Sequence, residues 1–417
     1  MALTGSIVVS IVLARLFLRE LWTPSLAARE AENFRSEQDK LRLGEAFLSR
    51  EILHPFLGYV LNPAADPPTW KACGRERPPI NSFGLIDERD DLPRRSDDHL
   101  VIAVFGGSVA RYLAFDHRCA IIAALESSGV FAGKTIDIRC FAIGGFKQPQ
   151  QLCEMVYFQS LGAQFDVVIN LDGFNEVALH PAENAFKGTC HTFPRAWASR
   201  TATRVDPALV FLFGQLAFIQ ERRAWIWKTL ERFPWNIFPP AYLVLGWIEQ
   251  RWRSRKQWVI KSIRQFKPPV EGNLNTAIRR EKVDYQQLVD LWAQSSTLMH
   301  ELCQASGAQY LQFLQPNQYV PNSKPLSEEE KARAFDPDHP YRPGVLAGYP
   351  LLRETGKALR EKGVAFNDLT LLFSECSESV YRDRCCHFNR RGNEIIAGAI
   401  AAEIVRVCAG NTSAAEV

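Results

Sequence analysis

Two residues of this chain are best suited to nucleophilic chemistry: a serine that follows two glycines, and a histidine close to the far end. Residues 100–105 read Leu-Val-Ile-Ala-Val-Phe and lead into Gly106-Gly107-Ser108. A short β-branched apolar run reads as a buried parallel strand. The glycines let the backbone turn sharply and leave the Ser108 hydroxyl uncovered at the strand's C-terminal edge. In open α/β sheets that edge is where ligands bind. A serine hydroxyl is a poor nucleophile until a neighbouring base takes its proton. His387, in Cys385-Cys386-His387-Phe388-Asn389, is the candidate base, since an imidazole changes protonation state near neutral pH. Each signal alone has a bland reading. Gly-Gly-Ser after a strand is more often a plain tight turn, and a lone His before a C-terminal helix is usually a cap or surface residue.

Two further blocks lie between them. One is Phe141-Ala-Ile-Gly144-Gly145-Phe146-Lys147-Gln148-Pro149; the other is Val167-Val-Ile-Asn-Leu-Asp172-Gly173-Phe174-Asn175-Glu176. A Ser block, a Gly block, an Asn block and a His block in that order resemble the SGNH (GDSL-like) hydrolase superfamily. Within it, the sequence is most similar to a bacterial branch that writes the blocks as FGGS, DGxNE and CHFNxxGN. The resemblance covers roughly residues 50–407, interrupted by a middle insertion. It implies acyl-serine chemistry on an ester, an acylated carbohydrate or a lipid-like ester, with Ser108 as nucleophile and His387 as base. It also implies three oxyanion donors: the Ser108 N–H, the Gly145 N–H (Gly144 being the rival) and the Asn175 side chain. The superfamily usually places an Asp three residues before the His. Here that position is Arg384, and Asp383 lies four before. Asp383 is the expected orienting acid, with a Ser-His dyad and a structural role for Asp368 as alternatives. Asp172 and Glu176 are expected to cap or brace rather than react, and Asn389 to cap the last helix.

These blocks need a scaffold that ends several strands at one edge. Strands are expected at 100–105, 135–143, 166–172, 308–315 and 364–369, with helices at 111–128, 148–162, 284–305, 347–362 and 394–407. Alternating strands and helices imply parallel pairing. The expected fold is a flavodoxin-like three-layer α/β domain with a five-stranded parallel sheet in order 2-1-3-4-5. The organisation expected is an N-terminal apolar helix or membrane anchor (1–22), a helical and irregular apron (23–99), a catalytic domain (100–194 and 283–410) and a helical insertion after strand 3 (195–282). The insertion holds two apolar stretches, Ala208–Ile219 and Ile237–Ile248, and between Trp225 and Trp258 six of the ten tryptophans interleaved with Arg and Lys. That composition fits a membrane interface or an ordinary helical hairpin with snorkelling side chains.

The remaining composition mostly excludes. A net charge of +3 over 417 residues gives no argument for nucleic acid. The glycine pattern at 106–111 is neither a dinucleotide fingerprint nor a phosphate loop. No C-x-x-C pair occurs among the ten cysteines. The expectation is therefore no metal and no cofactor, with buried free thiols or one disulfide (Cys376 with Cys385 or Cys386). The expected partner is a small-molecule or glycan ester. Membrane contact would come through the N-terminal helix or residues 205–262, with the catalytic domain extracytoplasmic. Two other functions stay open: an acyltransferase modifying an envelope polysaccharide with the same Ser-His machinery, and a non-catalytic glycan-binding protein on the same fold.

Overall fold

The computed structural model describes residues 51–64, 71–72, 75–76, 80–87, 89–197, 200–201, 207–232, 239–265 and 283–412. The expected N-terminal helix or anchor at 1–22, and the helical start of the apron, lie outside these residues. The described chain falls into two compact units, with residues 200–201, 207–232 and 239–265 in one and the remainder in the other.

The larger unit opens with an antiparallel hairpin, β1 (Glu51–His54) and β2 (Gly58–Leu61), and a two-residue pair, β3 (Lys71–Ala72) and β4 (Arg75–Glu76). Its main sheet contains β5 (His99–Gly106), β6 (Thr135–Cys140), β7 (Val167–Asp172), β8 (Gln309–Leu314) and β9 (Ala365–Asp368). All five run parallel in the order β6-β5-β7-β8-β9, which is the expected 2-1-3-4-5 order. Every residue of β7 is buried, as a central strand covered on both faces requires. Helices cover the sheet in two groups. α2 (Arg118–Ser127) packs with α10 (Arg390–Thr412), while α7 (Tyr285–Ser306) packs with α3 (Gln150–Ser160) and α9 (Arg342–Glu361).

Alternate residues of β7 and β8 carry amides and a carboxylate into the core. Asn170 Nδ2 donates to Gln312 Oε1 at 3.0 Å and to Asp172 Oδ2 at 2.8 Å. Gln312 Nε2 and Trp292 Nε1 both donate to Asp172 Oδ1, at 2.7 and 2.8 Å. Ser296 and Tyr310 hydroxyls add donors to Gln312 Oε1. A carboxylate this deep is tolerable only with such partners. The network fixes the end of β7 against β8 and α7, and so fixes the Asp-Gly-Phe-Asn-Glu turn that follows.

The described part of the apron, expected to be helical and irregular, contains the paired strands β1–β4, and two later elements also differ from expectation. The helix expected at 111–128 is broken. α1 (Ser108–Arg111) runs into a wide turn of π type at Tyr112–Asp116 before α2 begins. Such bulges re-aim side chains, and here the re-aimed residue is Tyr112. The insertion's helices are also longer than its apolar stretches: α5 is Pro207–Arg232 and α6 is Pro239–Gln265. The helices continue through the Trp- and Arg-rich halves, where apolar residues are interleaved with Arg and Lys. Among the described residues no helix is long and apolar enough to cross a membrane.

Candidate active site

Ser108 is the first residue of α1, directly beyond β5. Gly107 precedes it for a steric reason: a Cβ at that position would lie 2.1 Å from Asn175 Nδ2. The same short distance shows how close the Asn175 amide stands to the serine's turn. Asn175 sits in α4 (Phe174–Leu179), which begins immediately after β7. Its Nδ2 donates to the Phe146 carbonyl at 2.7 Å, joining the Asn block to the Gly block.

His387, the candidate base, lies in the loop between β9 and α10. Tyr381 and Phe388 form an antiparallel bridge, and Arg382 N donates to His387 O at 2.8 Å. Glu330 Oε1 accepts from the Val380 and Tyr381 N–H groups at 2.8 and 2.7 Å, clamping the start of this loop. The segment after β8 tethers its middle. Gln318 Nε2 donates to Asp383 O at 3.0 Å and Tyr319 OH to Arg384 O at 2.7 Å. Asn389 Oδ1 accepts from Gly392 N at 3.0 Å, an N-cap on α10.

In this setting His387 Nε2 lies 2.8 Å from Ser108 Oγ, and His387 Nδ1 lies 2.6 Å from Asp383 Oδ2. The four-residue Asp–His spacing closes because Asp383 folds back over its own turn. Its Oδ1 accepts from the N–H groups of Cys385, Cys386 and His387 at 3.0, 3.3 and 3.4 Å. Partial burial alone would raise the Asp383 pKa. The His387 hydrogen bond and charge, with the backbone donors, outweigh it and hold the carboxyl below its ordinary value. Asp368, the structural alternative, is engaged elsewhere, with Thr370 and with Arg353 at 2.7 Å.

Gly145 takes a left-handed backbone with φ of 82°, and the Arg195 side chain packs on it where a Cβ would stand. The N–H groups of Ser108, Gly144 and Gly145 donate to no protein acceptor among the described residues. Tyr59 OH, from β2, donates to Gly144 O at 2.9 Å. Glu176 holds the two blocks in register: its Oε2 accepts from Gly173 N at 2.8 Å and its Oε1 from Gln148 N at 3.1 Å. Asp172 and Glu176 both titrate high, first because they are buried and then, for Asp172, because Glu176 is near. Neither touches Ser108 or His387 through any hydrogen bond. Burial pushes the Lys147 ammonium down to about 8, and it donates to the Gln148 and His191 carbonyls.

Four side chains around the site carried no signal in the sequence. Tyr112 stands edge-on to the His387 ring, with centroids 5.4 Å apart. Arg111 and Arg382 place their guanidinium carbons 4.5 and 5.0 Å from the Tyr112 centroid. On the Gly145 side, Arg195 is paired with Glu183 at 2.6 Å, and Glu183 also accepts from Tyr341 OH at 2.6 Å. A cavity of about 320 Å³ opens beside Tyr112 and Phe388, lined also by Arg382, Asn389, Arg390 and Asn393.

Cys385, Cys386 and His387 bring potential metal-ligand atoms within 4.8 Å of one another. Both ring nitrogens of His387 already face partners, and burial first of all pushes the Cys386 thiol well up, so the donor set does not suit a metal ion. Cys376, Cys385 and Cys386 are free thiols, whereas Cys119 is disulfide-bonded.

No family model matches the chain, and no curated protein matches it. Two solved structures are similar at 10% identity. One, from Bacteroides fragilis NCTC 9343 and described as an acylhydrolase by assignment, gives a TM-score of 0.33 over 76% of this chain and 91% of that one. The other, a lipase/acylhydrolase from Enterococcus faecalis, gives 0.32 over 73% and 95%.

Proposed function

We propose that this protein is a serine ester hydrolase of SGNH type that works through an acyl-serine intermediate. The observation that carries the proposal is the continuous hydrogen-bond chain from Ser108 Oγ through His387 to Asp383. In this reading His387 Nε2 takes the Ser108 proton as Oγ attacks the ester carbonyl. The carbonyl oxygen becomes negative and is held by the Ser108 and Gly145 N–H groups and by Asn175. His387 then protonates the departing alcohol, and later activates the water that releases the acid. Asp383 fixes the imidazole tautomer and stabilises its positive form. Since the proton comes from His387, the alcohol half leaves on that side. The cavity beside Tyr112, with Asp116, Arg382, Asn389 and Asn393 in its wall, supports an alcohol that carries hydroxyls, as in an acylated carbohydrate. We place the catalytic unit outside the cytoplasm at a membrane; the Cys119 disulfide supports an oxidising compartment.

The test is fluorophosphonate labelling of the purified protein, followed by hydrolysis of short acyl esters with and without a sugar acceptor. Labelling at Ser108, lost in Ser108→Ala together with turnover, is the expected result. Acyl transfer to the sugar in preference to water would make the protein an acyltransferase. Unlabelled Ser108 in a folded protein would leave a glycan-binding role.

A further inference from the structure

We propose that the helical hairpin of α5 and α6 is a docking surface for an anionic phospholipid membrane, lying in the headgroup region rather than crossing it. Across the two helices Arg223 and Glu249 form a buried ion pair at 2.7 Å, and Ile219, Ile226, Trp227 and Val259 of the hairpin are buried. The two helices are further tied by Phe218 against Trp252 and by Arg255 to Gln215. Other large apolar side chains of the hairpin are exposed over half or nearly half of their surface. Phe211, Phe218 and Trp225 recur at seven-residue steps, so they share one stripe of α5. Trp247 and Trp258 are three turns apart on α6, with Arg251 and Arg255 between them on the same stripe. These five aromatic side chains are between 48% and 65% exposed. Water is a poor environment for that much aromatic surface, whereas a headgroup layer accepts both the ring and a polar rim.

The charge points to the occupant. Residues 207–232 and 239–265 hold ten Lys/Arg against three Asp/Glu, an excess of seven, while the whole chain has an excess of only three. The rest of the protein is therefore net acidic, and the basic charge is concentrated where the exposed tryptophans are. Three of these arginines lie over exposed rings: Arg222 on Phe218, Arg251 on Trp247 and Arg255 on Trp258, at 4.9, 5.2 and 4.4 Å. Aromatic rings flanked by guanidinium groups match a surface that is apolar below and phosphate-bearing above. A neutral apolar partner would leave those arginines without counter-charges.

The experiment is co-sedimentation of the full-length protein with phosphatidylcholine vesicles containing increasing phosphatidylglycerol. The Ser6–Leu18 apolar stretch is common to every variant, so the reading is the difference between variants. Partitioning should rise with the anionic fraction and fall in high salt. Arg251→Gln with Arg255→Gln should weaken binding by about fivefold per arginine. Trp247→Ser with Trp258→Ser should weaken it on neutral and anionic vesicles alike, and binding should blue-shift the wild-type tryptophan emission. All four substituted side chains are exposed, and circular dichroism checks each variant's helix content. Equal partitioning of both double variants and wild type would overturn the proposal. So would self-association of the wild type, abolished in the same variants without any lipid effect, which would make the stripe an interface between two copies.

Discussion

His387 faces two partners with different tasks, and the geometry lets them be separated. In the proposed mechanism Ser108, at 2.8 Å, needs the lone pair of Nε2, while Asp383, at 2.6 Å, holds the proton on Nδ1. Asp383→Asn keeps the shape but offers an amide that favours the wrong tautomer. In triad enzymes that exchange costs about 10⁴-fold in kcat. Ester turnover in Asp383→Asn should fall by that order with KM little changed; full activity would reduce the machinery to a dyad. The same carboxyl has a stability signature. Its folded pKa lies below the ordinary value of 3.8, so its contribution is present above that pH and is lost as pH falls through the lower folded value. Acid unfolding of Asp383→Asn should therefore be less steep below pH 3.8 than that of the wild type. Ser108 and His387 could be picked out in the sequence because a Ser, a Gly, an Asn and a His block follow one another in the order of the resembled superfamily; the strand-end glycines or the His before a helix alone had blander readings. Tyr112 could not, because what aims it at His387 is a π turn inside a stretch with ordinary helical spacing.

Between the strands, the turns carry the constraint. Gly107 is where the Ser and Asn blocks touch, and no side chain fits between it and Asn175. Gly107→Ala should push the Asn175 amide out of place. Losing one oxyanion donor typically costs about 10²–10³ in kcat, so a fall of that size with folding retained is the expected outcome. An unchanged kcat would mean that Asn175 plays no part in the chemistry. α3 holds a different kind of constraint. Glu154 is fully buried, and neither carboxylate oxygen has a hydrogen-bond partner among the described residues. Burial raises its pKa well above 4.5, so its favourable contribution exists below that pH and is lost as pH rises through the folded value. Glu154→Gln should raise Tm at pH 8, and the gain should shrink towards pH 4.5. A gain that does not change with pH would assign the effect to packing instead. Nothing in the sequence separates Glu154 from a surface glutamate. Its neighbours Met155 and Phe158 mark the buried face, but a carboxylate on that face reads as an edge position.

At the scale of the whole chain, the sheet order was legible because each strand is a short apolar run followed by a helical pattern, and alternation of that kind permits few topologies. The insertion was legible as two helices, but not in length or internal chemistry. Apolar runs mark only the halves rich in Leu, Phe and Val, whereas the other halves are held by a side-chain pair 26 residues apart in sequence. Arg223 reaches Glu249 with both Nε and Nη2, at 3.0 and 2.7 Å, and both residues are buried. A periodicity argument expects apolar residues at such seam positions. Removing one member of a buried pair leaves the other charge uncompensated, at a cost of about 3–5 kcal/mol. Glu249→Ala should therefore open the hairpin locally. Amide hydrogen exchange in the full chain should lose protection across 207–232 and 239–265, while β5 and β8 keep theirs. Arg223→Met with Glu249→Leu removes both charges and should restore protection, since apolar side chains of similar volume can replace a buried ion pair without loss of stability. Exchange that rises equally in the hairpin and in β5 would show that the ion pair supports the whole molecule rather than one hairpin.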